Sequence, residues 1–455
     1  MKSPPPHEHD FLGVRVDAAA AIDGAGLALA PASILLRLAD ANPLQGPGPL
    51  TGRAEVLALG TPAAIDAHPL SPHARALKRP ESLLVPGLVN AHTHLDLTHI
   101  GPRPLDPAAG FQGFVDTVRS NRRTQEHEIA HSVRDGVALS LAGGVVAIGD
   151  IAGAALGQPT LAPFHTLREG LGLGVSFVEF FSIGRGEAPA RERISQLLHN
   201  NRQTFSTPVE GVRPGIQPHA PTTVSLKTYR WLLDQIAPHV PVSTHLAETA
   251  EERTFIGEGR GPQRDFLASL RLWDDSMLAE LGRGLSPVAH LAPVLRTRPM
   301  LCAHVNDAGD DDLALLARAR ASVAYCPRAS AYFGAHERFG PHRYRDMLAA
   351  GINVCLGTDS VINLPAPCAC LSTWDEARLL RQRDGADPLT LLRMATVHGA
   401  LALGLDPALF TLAPGPLAGL VAVPLPGRVS SALRALEEAL STAPPGDLEL
   451  LYRWK

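Results

Sequence analysis

The sequence predicts an α/β fold, an eight-stranded parallel (β/α)8 barrel of TIM type, on three observations. Short apolar, β-branched runs recur eight times between Leu83 and Ser360. Stretches with helical spacing, such as TVSLKTYRWLLDQIAP and DDLALLARARA, lie between them. Imidazoles and carboxylates gather where the runs end. Strands buried on both faces read as continuous apolar runs, and their alternation with helices implies parallel βα units. Eight such units close a barrel. An open doubly wound sheet is the rival, but no G-x-G-x-x-G turn follows the first run.

In chain order the runs are LLVPGLVNAHTHL, VVAIGDI, LGVSFVEFF, GIQPHAP, PVSTHLAE, MLCAHV, SVAYCP and NVCLGTDS. His92 and His94, Asp150, Glu179, His219, His245 with Glu248, His304 and Asp359 fall at their carboxyl ends. In a barrel that end carries the active site, because the βα loops converge there over one cavity. The flanks differ. Before about Leu83, FLGVRVD, SILLRLAD and AEVLALG are strand-like pieces separated by Gly and Pro; after Gly404 come TLAPGPLAGLVAVPL and a helical SSALRALEEALS.

With 45% hydrophobic and 19% charged residues, the chain of 455 residues has the mix of a folded globular protein, large enough for a barrel and a smaller companion. A net charge of −4 gives no footprint for nucleic acid or an anionic membrane, so neither is expected as a partner. The amino terminus has no apolar signal core, and no run of about 18 apolar residues appears, so a soluble cytoplasmic location is expected. The five cysteines make no even disulfide framework; Cys302, Cys326 and Cys355 sit in apolar runs, and Cys368 with Cys370 reads as part of a loop or pocket wall.

The strongest local motif is NAHTHLDLT. Alternate residues of a strand share a face, so His92 and His94 can both point into the barrel as a chelating pair. His245 in STHLAET and Asp359 in LGTDS extend the pair to three imidazoles and one carboxylate. Such a set suits one divalent ion, zinc ahead of iron, and a bound ion lowers the pKa of water to about 7. The bland alternative, strands that merely end at polar residues, explains one or two cases but not all of these.

The ordered set PGLVNAHTHLDLT, QPHAPTTVS, STHLAETAEE, LCAH, YCPRASAYFGAH and VCLGTDS resembles the deaminase/chlorohydrolase branch of the amidohydrolase superfamily. Within it, HLAE and YCPR..AYFG are most similar to aminodeoxyfutalosine deaminases and S-adenosylhomocysteine deaminase-like proteins. The resemblance implies that the flanks pair into a small β-sandwich, dividing the chain into 1–84, 85–404 and 405–455. It implies metal ligation by His92, His94, His245 and Asp359, proton transfer by Glu248 and Asp359, and a water-facing His304. It also implies substrate contact by His219; Arg328 is expected to contact substrate or to hold the mouth of the seventh strand. The expected reaction is hydrolytic deamination of an adenine-nucleoside-like heterocycle by water activated at the metal, in a chain for which a homodimer is an allowed assembly.

Two rivals use the same parts: a chlorohydrolase expelling chloride, and a binuclear amidase or deacetylase bridged by a carboxylate such as Glu179. The strand-four lysine of many binuclear sites is absent, since His219 stands there. Relatives carry histidines where this chain has Ser330 and Ala335, and the 361–370 loop lacks their usual SN element; these positions are expected to line the substrate pocket. Asp150 is expected behind a ligand histidine. His99, His127, His131, His165, His290, His336, His342 and His398 are expected at the surface or at helix caps.

Overall fold

The computed structural model describes residues 13–39, 48–106, 110–207, 210–367 and 370–455. Eight strands run parallel in chain order: β1 (Leu88–Thr93), β2 (Val145–Ala152), β3 (Leu173–Phe180), β4 (Val212–Pro218), β5 (Ser243–Leu246), β6 (Leu301–His304), β7 (Ser322–Tyr325) and β8 (Asn353–Leu356). Each apolar run of the sequence supplies one of them. They form two four-stranded halves, β1–β4 and β5–β8. Single bridges, Ile216 to Val242 and Thr93 to Asp359, join the halves and close the barrel. Every β2 and β3 residue is buried, as strands with two covered faces require.

Closure at the β8–β1 seam depends on a glycine. A Cβ on Gly357 would lie 2.8 Å from the His92 carbonyl oxygen and 2.9 Å from Cys326 Sγ, so a side chain there would push β8 off β1. The seam is also tied by side chains: Asn90 Nδ2 donates to Thr358 Oγ1 at 2.7 Å, and its Oδ1 accepts from the Thr358 amide at 3.1 Å.

The flanking segments build a second sheet from both ends of the chain. Strands Gly13–Ile22, Ala32–Ala39, Leu50–Gly60, Glu449–Trp454, Gly419–Pro424 and Arg75–Pro86 pair in that order, and the last pairs back with the first. The faces of the expected sandwich are thus hydrogen-bonded into a ring around Val14, Val16, Ile34, Leu36, Val56, Leu84 and Leu420. Two details depart from expectation. The strand Arg75–Pro86 belongs to this sheet through Pro86, past residue 84. After the helix Ala432–Thr442 and the PPGD turn the chain ends in a strand, Glu449–Trp454, that the sequence expectation did not include. Among the described residues no helix is long and apolar enough to cross a membrane.

Candidate metal centre and its proton-transfer groups

His92 and His94 project from the end of β1, His245 from β5, His304 from β6, and Asp359 from the turn after β8. All five are buried. The ring centroids of His92, His94 and His245 lie 5.0–5.4 Å apart. His94 Nε2 is 3.3 Å from His245 Nε2 and 3.4 Å from Asp359 Oδ1, and His92 Nε2 is 3.8 Å from the same carboxylate oxygen.

The hydrogen bonds on the outer side fix which atoms face inward. His245 Nδ1 donates to the His219 carbonyl at 3.0 Å, which leaves Nε2 as a bare lone pair aimed at His94. Asn363 Nδ2 donates to Asp359 Oδ2 at 2.6 Å, which leaves Oδ1 toward the imidazoles. Both His92 nitrogens and His94 Nδ1 are sealed from solvent with no hydrogen-bond partner among the described residues. Orphaned buried imidazoles of this kind are costly unless something absent from a bare polypeptide satisfies them. Burial, reinforced by neighbouring positive groups, holds His92, His94 and His245 well below the usual imidazole range, so they are neutral donors.

This donor set fits a divalent ion. Nitrogens about 2.0–2.1 Å from a tetrahedral zinc lie roughly 3.3 Å from each other, the spacing seen between His94 and His245. Ligand atoms of His92, His94 and His245 lie within 4.8 Å of one another, as do those of His92, His304 and Asp359. Glu179, His219 and His245 form a third such group.

Glu248 stands beside this cluster, its Oε1 3.6 Å from His304 Nε2. Burial raises its carboxyl to about 8, so it carries a proton at neutral pH. Burial also lowers His304, while Asp359 pulls it the other way. Asp359 is raised to about 6, chiefly by burial. Backbone geometry is unusual at these points: Ala247, His304, Val305 and Asp359 have φ of 52°, 71°, 52° and 55°. Non-glycine residues rarely adopt this region, and such strain gathers at functional sites.

His219, expected to touch substrate, lies partly exposed at the end of β4, its Nδ1 2.7 Å from Thr223 Oγ1 and its ring 4.9 Å from that of His245. Its Nε2 faces the Glu179 carboxylate at 4.0 Å. Arg328 is differently placed: its guanidinium lies 2.6 Å from Asp375 Oδ2 and 3.5 Å from Glu376 Oε1, on the helix Thr373–Asp384. Two carboxylates thus flank it at the mouth of β7. Asp150 accepts from the Leu95 amide at 3.1 Å and so braces the turn after His94.

Several residues without a sequence signal bear on the site. Arg122 enters from the end of the helix Gly110–Asn121, bonds Asp96 at 3.0 Å and lies 3.7 Å from Glu179. Its charge contributes to depressing His94 and His219. Glu252 accepts from the amides of Ala247 and Glu248 at 3.0 and 2.8 Å. Two histidines expected at the surface or at caps are elsewhere. His290 is 3% exposed, and half-buried His342 stacks on Tyr325 at 3.7 Å and donates from Nε2 to the His304 carbonyl. Their single-residue context gave no hint, because their partners lie far away in sequence. Ser330 and Ala335 line a small cavity of about 20 Å³ with Asn306 and His342. Cys302, Cys326 and Cys355 are free, buried thiols, and Cys370 is buried; Cys368 lies outside the described residues.

Comparisons with known proteins agree with this geometry. Residues 83–444 match the model of the Amidohydrolase family. An aminodeoxyfutalosine deaminase of Deinococcus radiodurans is 31% identical over 370 residues, covering 77% of this chain and 81% of that protein. In fold, the chain is similar to an aminofutalosine deaminase of Helicobacter pylori solved with methylthio-coformycin, with a TM-score of 0.69 at 18% identity over 96% of this chain and 99% of that one. It is also similar to a zinc-complexed atrazine chlorohydrolase of Arthrobacter aurescens TC1, with a TM-score of 0.67 at 18% identity over 97% and 95% of the two chains. A match of this extent settles the grouping: the chain belongs to the amidohydrolase family.

Proposed function

We propose that this protein is a metal-dependent aminohydrolase that removes the amino group of an adenine-nucleoside-like substrate as ammonia. The observation that carries the reading is the half-buried Glu248 carboxyl, 3.6 Å from His304, beside a cluster of imidazoles whose nitrogens converge on the Asp359 carboxylate. The relative at 31% identity, a deaminase by name, supports the same reaction class. His92, His94, His245 and Asp359 would hold one divalent ion, with zinc favoured because a similar fold carries it. When bound, the ion supplies the Lewis acidity that makes water a nucleophile near neutral pH.

The remaining chemistry belongs to side chains. Asp359 accepts a proton from the attacking water. Glu248 gives its proton to the ring nitrogen next to the attacked carbon, so the ring accepts the electron pair without developing a full negative charge. His304 hydrogen-bonds the new hydroxyl of the tetrahedral intermediate. The Glu248 carboxylate then takes that hydroxyl proton and passes it to the amine, which leaves as ammonia, and the proton on Asp359 returns to Glu248. His219, facing the cluster from β4, orients the substrate. A small molecule is the only partner this chemistry needs.

Ammonia release from a panel of adenine nucleosides, guanine, cytosine and aminotriazines tests the reading. Release from an adenine nucleoside that stops on chelation supports it. Chloride release from chlorotriazines with no ammonia from any amine would replace it with the chlorohydrolase reading, which the similar atrazine chlorohydrolase fold keeps in view.

A further inference from the structure

Glu248 is held by its backbone as well as by its surroundings, through Glu252 on the helix after β5 and through residues that follow β6 and β7. Its amide donates to Glu252 at 2.8 Å, and its carbonyl accepts from Asn306 Nδ2 at 3.1 Å. Asn306 is 6% exposed and follows the two positive-φ residues His304 and Val305. Ser330, 5% exposed in the helix Pro327–Tyr332 after β7, donates its hydroxyl to Asn306 Oδ1 at 2.6 Å. The Glu248 carbonyl can only accept, so the Asn306 NH₂ faces it, which leaves Oδ1 to accept from the Ser330 hydroxyl. Backbone bonds from Val305 to Leu246 and from Asp307 to Ala247 lock the same two turns together.

We infer that Asn306, anchored by Ser330, is a positioning residue that sets the Glu248 carboxyl against His304. The inference rests on the proton-transfer reading of Glu248 above. It also gives Ser330 a role other than lining the substrate pocket. With serine at 330 and alanine at 335 instead of two imidazoles, the short hydroxyl reaches Asn306, beside the small cavity that both positions line. His342, on the same cavity, holds the partner group through the His304 carbonyl at 2.9 Å. Acid and partner are thereby both fixed from one layer, and misplacement of a catalytic group by about 1 Å can cost roughly 10²-fold in rate.

The test compares wild type, Asn306→Asp, Ser330→Ala and Ser330→Thr as full chains loaded with zinc. Asn306→Asp keeps the shape and replaces the donor with an acceptor facing the Glu248 carbonyl. Its kcat is expected to fall roughly 10- to 100-fold, with KM within about threefold, zinc content unchanged and the alkaline limb of the kcat profile displaced. Ser330→Ala should fall less, and Ser330→Thr, which retains the hydroxyl, should recover most of the loss. Crystal structures of wild type and Asn306→Asp give a readout that needs no turnover: the Glu248–His304 separation should lengthen beyond 3.6 Å in the variant. If no substrate were turned over by wild type, the proposed reaction would fail while this distance still decided the positioning role. An unchanged separation, a kcat within twofold of wild type in both Asn306→Asp and Ser330→Ala, or parallel loss of kcat, zinc and thermal stability would overturn it.

Discussion

The two halves of the barrel present their functional groups in different ways. Strands β1–β4 span six to eight residues, and His92, His94, Glu179 and His219 emerge at or just past their ends. Strands β5–β8 span four residues each, and Glu248, His304 and Asp359 sit at or beside tight turns with positive φ. Behind the first half lies a buried ionic group, Arg122 with Asp96 and Glu179, and Asp150 close by. Behind the second lies a mesh of neutral and backbone hydrogen bonds through Glu252, Asn306 and Asn363. The difference teaches a division of labour. Regular strands place His92, His94 and His245, whereas Glu248, His304 and Asp359 are aimed by strained turns that a second layer holds in place.

The largest effect that sharpens this comparison is expected in the second half. Glu248→Gln should retain its metal and lose about 10²–10⁴-fold in kcat, the usual contribution of a positioned acid–base group. A zinc-loaded variant with wild-type turnover would remove Glu248 from the reaction. In the first half, Arg122→Met leaves the Asp96 and Glu179 carboxylates without their cation. Breaking a buried pair in this way costs about 3–5 kcal/mol, read as a lower urea midpoint. Unchanged stability would mean that the acids simply take up protons and that Arg122 is no keystone.

A pH test reaches both halves in the metal-free protein. Burial raises Glu248, Glu252 and Glu376 to about 8, and Asp150 and Glu179 to about 7. Unfolded carboxyls ionise near pH 4. The folded state therefore binds more protons than the unfolded state up to about pH 8, and stability falls as pH rises through that window. The buried histidines act in the opposite sense only below about pH 6.5, where the unfolded chain still protonates. Between pH 6.5 and 8 the stability of the metal-free protein should fall, by on the order of 1 kcal/mol per pH unit for each such carboxyl still protonated in the folded state, read as a lower thermal midpoint. A midpoint that rises over this range contradicts the buried-acid picture.

The smallest effect isolates backbone strain. Ala247 has φ of 52° in a turn of the second half, while Ala147 lies in the middle of β2. Glycine at 147 should cost about 1–2 kcal/mol in lost packing and chain entropy. At 247 the relief of left-handed strain, about 1–2 kcal/mol, offsets that loss, so stability should stay within about 1 kcal/mol of wild type. Equal losses at both positions would show that the turns of the second half store no strain.

Much of the barrel and the centre of the site were legible in the sequence because their signals are local. Eight apolar runs mark the strands, the alternation of His92 and His94 marks one face, and LGTDS and STHLAE mark strand ends. What was not legible depends on partners distant in the chain. Nothing around Asn306 predicts its bond to Ser330, and Arg122 gives no sign of reaching Asp96 and Glu179. The sequence around Arg328 likewise gives no sign of its ion pairs with Asp375 and Glu376 on the helix Thr373–Asp384. The closed ring of the small sheet was equally hidden, because Leu50–Gly60 finds Glu449–Trp454 from the far end of the chain.

The most direct measurement is metal content, by elemental analysis, of the purified protein and of His245→Asn. The expected result is one zinc per chain in the wild type and little in the variant, which keeps the fold but loses the Nε2 donor that faces His94. No metal in the wild type after exposure to zinc, or full retention in His245→Asn, would contradict the assignment of His92, His94, His245 and Asp359 as the metal centre.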